Sequence, residues 1–148
     1  MANMPAFQAS DASSILAART RNYKTMNNHY YVGSYKEDGL NGPNRGWIVG
    51  NVNFELSRTT EAVGIKYWQF EVGPTDHPTK VSSIIECTFI LKGKVRGTID
   101  GQEVILNAGD YVVIQPGIEN NTVIEVLEAA EGLTVKAPSD PNAKKIVE

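Results

Sequence analysis

Glu86 is the side chain of this sequence most suited to chemistry, because it interrupts a largely apolar stretch from Ile84 to Leu91. Alternation along a β-strand would place Glu86, Thr88 and Ile90 on one face. Burying a carboxylate costs free energy unless it is paired or hydrogen-bonded. We therefore predict that Glu86 has a partner, and the candidates are a buried lysine or arginine, Asn120, a tyrosine and a bound ligand.

Three roles for Glu86 stay open on the sequence alone. The first is structural, with the carboxylate accepting a hydrogen bond from Thr79 or Asn120. The second is direct contact with a ligand. The third is a general base whose pKa is raised by burial, as happens for catalytic carboxylates.

The two histidines are weaker candidates. His77 is interpreted in three ways: as a loop residue held by a local hydrogen bond, as a ligand contact inside the fold, or as a metal ligand together with Glu86 and Asn120. It is also the one residue near Glu86 in sequence that would serve as a second acid–base group. His29 lies in a segment rich in Asn and Tyr, and we expect a structural or solvated role for it.

Short strands separated by turns dominate the sequence from Gly46 onward. The predicted strands are residues 47–49, 63–72, 83–91, 95–99, 103–106, 111–114, 122–127 and 133–136. Asp100-Gly101 is a strong signal for a two-residue hairpin, since glycine accepts the positive φ that such turns require. About eight short strands of this kind predict an all-β sandwich or barrel.

The remaining regions are predicted to be appendages of that barrel. Residues 1–45 form an N-terminal arm with a short helix, which begins after Ser10 or Asp11 and ends before Asn22. The arm has little core of its own, so it should pack on the outside of the barrel or on a neighbouring chain. Residues 46–137 form the barrel, and residues 138–148 form a C-terminal tail. Because the aromatic strands are exposed, we expect a homodimer.

Two spaced motifs make the fold prediction more specific. The first comprises a glycine, two positions one residue apart, a glutamate and a second glycine, here Gly73, Thr79 with Val81, Glu86 and Gly93. The second comprises a glycine, a Pro-Gly turn and a position three residues beyond that turn, here Gly109, Pro116-Gly117 and Asn120. Over residues 46–136 the chain resembles the cupin superfamily. The resemblance implies an antiparallel β-barrel, also described as a double-stranded β-helix or jelly roll.

The resemblance also implies where a divalent metal would bind, inside the barrel. The matching positions are Thr79, Val81, Glu86 and Asn120, so the carboxylate is kept and the histidines of the motif are replaced. Val81 has no donor atom, and neutral Thr and Asn oxygens hold a transition metal poorly. We therefore expect no metal and no other cofactor. A small-molecule ligand should instead contact these four positions and Thr88.

Three functions agree with these features. The leading hypothesis is a metal-independent, cupin-like protein that binds a small polar molecule, sugar- or carboxylate-like, in the barrel cavity. The first alternative is a metal-free isomerase or lyase with Glu86 as the acid–base group. The second is a structural or assembly protein with a vestigial pocket. Whether the chain is an enzyme stays open, because one fold hosts many functions.

Composition narrows the choice of partners and compartment. A formal net charge of −3 disfavours binding to nucleic acid or to an anionic membrane surface. No stretch approaches the roughly 18 apolar residues of a membrane span. Cys87 is the single cysteine and cannot form an internal disulfide, which favours a reducing cytoplasm. We interpret it as a small buried hydrophobic residue rather than a reactive thiol.

Overall fold

The computed structural model of the protein describes residues 29–42, 44–51 and 58–147. The helix predicted between residues 10 and 22 lies outside these ranges. The described residues form one helix and nine strands: α1 (Tyr35–Leu40), β1 (Trp47–Val49), β2 (Gly64–Phe70), β3 (Gly73–Pro74), β4 (Lys80–Ser82), β5 (Ile85–Ile99), β6 (Gln102–Asn107), β7 (Tyr111–Ile114), β8 (Asn120–Ala137) and β9 (Lys144–Ile146). No helix in these ranges has the length and apolar character that crossing a bilayer requires.

The strands form one curled antiparallel sheet that is organised around β8. This strand pairs with β2, β3, β4 and β5, and β5 pairs in turn with β6 and β7. All of these pairings are antiparallel. The all-β fold predicted from the sequence is therefore confirmed.

Two long bent strands replace four of the short strands predicted from the sequence. β5 contains residues 85–91 of the predicted strand 83–91 together with the predicted strand 95–99, and β8 contains both 122–127 and 133–136. The pairing of β5 with β8 shifts register around Lys92, which is the signature of bulges that bend a strand without ending it. Gly93 lies at this bend with a φ of +80°, and a Cβ there would collide with the backbone of Ala129. The sequence-based division at Gly93 is corrected to a bend in a continuous strand.

The hairpin between β5 and β6 forms as predicted. Ile99 is paired with Gln102, and the two residues between them, Asp100 and Gly101, have φ angles of 51° and 73°. Two consecutive positive φ angles are what a two-residue type I′ turn needs to match the twist of its strands. The turn therefore fixes the register of β6 against β5.

The interior of the barrel has an apolar part and a polar part. The apolar part is a cluster of buried residues, Trp68, Ile90, Val95, Leu106, Val123, Val126 and Ala130. On β2 and β5 the inward side chains change from polar to apolar along the chain, at Trp68 and Ile90 respectively. The earlier inward positions, Lys66 on β2 and Glu86 and Thr88 on β5, face a cavity instead.

Both appendages pack against the barrel in the described ranges. The ring of Tyr35 in α1 lies 5.0 Å from the ring of Tyr67 in β2, which places the arm residues on the outside of the barrel. In the C-terminal tail, β9 pairs with β4. The tail thus extends the sheet, and Asp140 and Lys144 reach the rim of the cavity.

Candidate functional site

Two rows of polar side chains cross the inner face of the barrel where β2, β8 and β5 lie side by side. In the first row, Lys66 of β2 pairs with Thr134 of β8, which pairs with Thr88 of β5. In the second row, Lys136 of β8 pairs with Glu86 of β5. Directly opposed residues of an antiparallel sheet project from the same face. Both rows therefore line the same cavity.

The cavity has a volume of about 360 Å³, which lies within the range of small-molecule sites. Four lysines line it, Lys66, Lys80, Lys136 and Lys144. The cavity wall also carries two carboxylates, those of Glu86 and Asp140. The described part of the wall therefore carries more positive than negative charge.

Glu86 is buried between two of the lysines. Its residue is 3% exposed, and Nζ of Lys80 donates to Oε2 at 2.5 Å. Nζ of Lys136 lies 3.0 Å from Oε1, within ion-pair distance although at an angle outside hydrogen-bond geometry. Both oxygens of the carboxylate thus face an ammonium group. A buried lysine or arginine was one of the four kinds of partner left open by the sequence, and the structure supplies two lysines.

The two ammonium groups keep Glu86 ionised. Burial by itself would raise the pKa of this carboxyl, but the charge and hydrogen bond of Lys80, with the charge of Lys136, lower the pKa below its ordinary value. A carboxylate with a lowered pKa is a weak base. The geometry therefore disfavours the role of general base with a raised pKa.

Lys66 differs from Lys80 and Lys136 because no carboxylate in the described ranges lies within ion-pair distance of it. It is half-buried on the cavity wall. Burial lowers its pKa, and the charges of Lys136, Lys144 and Lys80 lower it further. The pKa of Lys80 is lowered as well, chiefly by burial, in spite of the pairing with Glu86.

Aromatic rings complete the wall next to the lysines. Nζ of Lys136 lies 5.6 Å from the ring centre of Trp47, close enough for a cation–π contact. The rings of Trp68 and Phe70 are stacked 5.4 Å apart, and Nε1 of Trp68 donates to the hydroxyl of Thr134 at 3.2 Å. A ligand in this cavity would meet ammonium groups and flat apolar surfaces together.

Three of the residues predicted from the sequence line the cavity, namely Glu86, Thr88 and His77. The structure places Thr79, Val81 and Asn120 outside the described cavity wall, and their assignment as ligand contacts stays a prediction. Lys80 and Asn121 occupy the wall instead. Because side chains alternate along a strand, an inward Lys80 directs its neighbours Thr79 and Val81 to the other face.

Asn120 and Asn121 have separate structural roles. Asn120 is fully buried, and its amide donates to the carbonyl of Ile118 at 3.0 Å, while its Oδ1 has no hydrogen-bond partner in the described ranges. The amide of Asn121 donates to the backbone carbonyl of His77 at 2.6 Å. Asn121 therefore ties the loop that carries His77 to the end of the barrel.

His77 lies at the rim of the cavity. Its ring meets Phe70 edge-on, with 5.1 Å between the ring centres. Partial burial and the charge of Lys66 lower the pKa of His77 below its ordinary value. Both oxygens of Glu86 are held by lysines rather than by His77. His29 is exposed and lies away from the cavity wall.

The residues of the cavity do not fit a divalent metal ion. Glu86 is the one carboxylate at the positions that the motifs assign to metal ligands, and Lys80 and Lys136 already face both of its oxygens. An ammonium group has no lone pair for a metal and repels a cation. In the ranges that the structure describes, no three His, Cys, Asp or Glu side chains are grouped to hold a metal.

The fold and the cavity define a small double-stranded β-helix protein with a polar chamber at one end. Residues 66–135 match the family model described as Cupin domain. Over these residues, slightly less than half of the chain, the protein is similar to the cupin superfamily. No curated protein has a significantly similar sequence.

Solved structures support the fold at low sequence identity. An uncharacterized conserved protein with a double-stranded β-helix domain from Klebsiella pneumoniae is 19% identical with a TM-score of 0.53, and the match covers 60% of this chain and 77% of that one. Oxalate decarboxylase from Bacillus subtilis is 19% identical with a TM-score of 0.51, over 59% and 24%. DMSP lyase DddQ from Ruegeria pomeroyi is 16% identical with a TM-score of 0.52, over 68% and 49%. The chain thus spans about a quarter of the oxalate decarboxylase chain.

Sequence reasoning missed the lysines of the cavity, although one of them left a signal. On β2, Lys66 alternates with Trp68 and Phe70, so it shares the face on which two aromatic residues turn inward. Lys80 left no such signal, because the motif spacing assigned the inward positions to its two neighbours. Lys144 lies in the tail, which was expected to contribute no strand.

Proposed function

We propose that the protein binds a small carboxylate-bearing molecule in the barrel cavity without a metal. The observation that carries this proposal is the set of four lysines opposed by two carboxylates around one small chamber. Charge-assisted hydrogen bonds to an anion are stronger than bonds between neutral groups, and they gain strength away from bulk water. Of the sugar-like and carboxylate-like ligands expected from the sequence, the charge favours the carboxylate.

The charge distribution of the whole chain adds support. The net charge is −3, yet the chamber is cationic. A cleft of one charge sign with low-dielectric walls concentrates oppositely charged small molecules. Trp47, Trp68 and Phe70 supply apolar surface for the body of such a ligand, while Lys66 and Lys144 supply ammonium groups that Glu86 does not hold.

The two alternative functions receive less support. A metal-free isomerase or lyase with Glu86 as its acid–base group would need this carboxyl to exchange a proton near neutral pH, and its pKa is lowered instead. A vestigial pocket should be filled by the protein's own side chains, whereas this one is open and polar. The cytoplasmic setting expected from the single cysteine, which is free and half-buried, remains part of the proposal.

A matched pair of probes tests the proposal. Benzoate and benzamide share size and shape, but only benzoate carries a charge. Calorimetric titration should detect benzoate binding and little benzamide binding, and raising the salt concentration should weaken the former. Lys66→Met should lower the affinity for benzoate about tenfold, equivalent to about 1.4 kcal/mol.

The control variant is Lys145→Met. Lys145 neighbours Lys144 on β9 but is exposed and lies off the cavity wall. The Lys145→Met substitution removes the same charge from the chain as Lys66→Met and should leave the affinity for benzoate unchanged. Equal binding of benzoate and benzamide, or equal losses in the two lysine variants, would contradict a cationic carboxylate site.

A further inference from the structure

Lys66 has three features that no other lysine of the described cavity wall combines. It is half-buried, it lines the chamber, and no carboxylate of the described ranges lies within ion-pair distance of it. Lys80 and Lys136 are engaged by Glu86. Lys144 also lines the chamber, but it is exposed to solvent.

The surroundings of Lys66 increase the fraction of its amine that is neutral. Register places Lys66 opposite Thr134 on β8, so Lys136 lies diagonally across from it. Diagonal neighbours of a sheet are about 7–8 Å apart at the backbone, which long side chains can span. Burial and then the charges of Lys136, Lys144, Lys80 and Arg45 lower the pKa of the Lys66 amine. A desolvated lysine next to other cations is a known way to prepare a nucleophilic amine at neutral pH.

We infer that Nζ of Lys66 forms an imine with the carbonyl carbon of a small 2-oxo acid bound in the cavity. This inference rests on the proposed carboxylate site, because the ammonium groups that hold the carboxylate would position the adjacent carbonyl. The lone pair of the neutral amine attacks the carbonyl carbon, and the carbonyl π electrons pass to the oxygen. The nitrogen gives up its two protons, the oxygen leaves as water, and a carbon–nitrogen double bond remains. The step needs no oxidant and no reductant.

Groups already in the chamber can support this step. The ammonium groups of Lys80 and Lys136 are proton donors on the same wall. The hydroxyls of Thr88 and Thr134, 3.3 Å apart, lie in the same row as Lys66 and offer hydrogen bonds to an oxygen that gains charge. The rings of Trp47 and Trp68 line the same cavity.

Reductive trapping tests the inference on the full chain. The protein is incubated with pyruvate and sodium cyanoborohydride, and the product is analysed by intact mass and peptide mapping. We expect one reduced adduct per chain on Lys66 and a smaller yield on exposed Lys145, because a lowered pKa increases the share of the Lys66 amine that is neutral. Mapping the unmodified sequence does not depend on any variant folding.

The Lys66→Arg variant separates chemistry from charge. Arginine keeps the positive charge but cannot form the imine, so the adduct should vanish, and the benzoate affinity should fall less than it does in Lys66→Met. Lys145→Arg is the control and should trap pyruvate as the unmodified protein does. Adducts spread evenly over surface lysines, or an adduct on Lys80 or Lys136 in place of Lys66, would overturn the inference.

Two further outcomes distinguish this inference from the proposed function. Benzoate binding without any trapped pyruvate would reject the imine and leave the carboxylate site standing. Absence of both would reject the two together. The adduct yield should also rise with pH and reach half its maximum below the ordinary pKa of lysine. The charged groups that set this profile are Lys80, Lys136, Lys144 and Arg45, with Glu86, Asp140 and His77 also at the chamber.

Discussion

At the scale of single residues, the chamber is governed by an imbalance of charge around Glu86. One buried carboxylate faces Lys80 and Lys136, so two cations share one anion. Lys66 adds a third positive charge without a carboxylate partner in the described ranges. Removing the Glu86 carboxylate should therefore lower the stability of the fold, whereas removing the Lys66 amine should raise it.

Glu86→Gln should destabilise the protein at neutral pH. The amide leaves two partly buried lysines without their counterion, and we expect a loss of about 3 kcal/mol, the low end for breaking a buried ion pair, because the side chains of Lys80 and Lys136 keep 18% and 14% exposure. Urea unfolding measures the loss. Glu119→Gln, at an exposed glutamate, is the control and should change little.

The effect of Glu86→Gln should also depend on pH. The pKa of Glu86 is lowered in the folded state, so the unfolded chain binds the proton first as pH falls. The stabilising contribution is complete above the ordinary glutamate pKa of about 4.3 and is lost as pH falls through the folded value. The unmodified protein and the Glu86→Gln variant should therefore have similar free energies of unfolding in acid. A constant difference at all pH values would contradict this account of the ion pair.

Lys66→Met should stabilise the protein at neutral pH. Methionine keeps the apolar stem of the side chain and removes an amine whose pKa is lowered by burial and neighbouring charges. The folded state then no longer holds an uncompensated cation, so the melting temperature should rise. The gain should fade as pH rises from the folded pKa towards the ordinary lysine value of about 10.4, because the native lysine is neutral there. A lower melting temperature at pH 7, relative to the Lys145→Met control, would contradict this prediction.

At the scale of elements, the bends of the long strands decide which side chains share the cavity. β5 and β8 run through the whole sheet, and register shifts near Lys92 and Gly93 bend them without breaking their pairing. Gly93 is required at the bend for two reasons, its positive φ and the close approach of the Ala129 backbone. The requirement for glycine at this bend can therefore be tested by substitution.

Gly93→Ala and Gly101→Ala form a matched pair that separates these two reasons. Both glycines have positive φ, at +80° and +73°, but a Cβ at Gly101 meets nothing within 4 Å. Gly101→Ala should cost about 1–2 kcal/mol, the strain of a left-handed conformation. Gly93→Ala should cost clearly more, because the methyl group also collides with the backbone. Equal losses in the free energy of unfolding, measured by chemical denaturation, would show that the contact between the new methyl group and the Ala129 backbone is relieved without cost.

At the scale of the whole molecule, the barrel presents an apolar surface to solvent that the cavity does not use. We define the outer apolar face as six neighbouring residues on β5, β7 and β8, Cys87, Phe89, Tyr111, Val113, Leu133 and Val135. Pairing places them in two continuous rows across the three strands. The rings of Phe89 and Tyr111 stack 5.7 Å apart and are 39% and 64% exposed at the residue level. Contiguous apolar patches of this kind mark interaction surfaces.

We propose that a second copy of the chain covers the outer apolar face. None of the six residues carries a charge, so the same face on two copies meets itself without repulsion, as a two-fold interface requires. Light scattering at micromolar concentration should give a dimer for the unmodified protein. Phe89→Glu combined with Tyr111→Glu should give a monomer that still binds benzoate. Val72→Glu, at a residue 65% exposed away from this face, should remain a dimer, and a monomeric unmodified protein would reject the interface.

Local sequence signals determined the fold and one central fact about the site. Backbone sterics explain the Asp100-Gly101 hairpin and the glycines of the two motifs. Strand geometry explains why Glu86 and Thr88 share one face. Both effects act over a few residues. The need of Glu86 for a partner follows from the cost of burying a charge. Only the tertiary structure decided that the partners are Lys80 and Lys136, because the inward face of a short strand depends on the register of its neighbours. The chamber's charge is likewise a tertiary property, since its lysines come from β2, β4, β8 and β9 and meet only when the sheet curls.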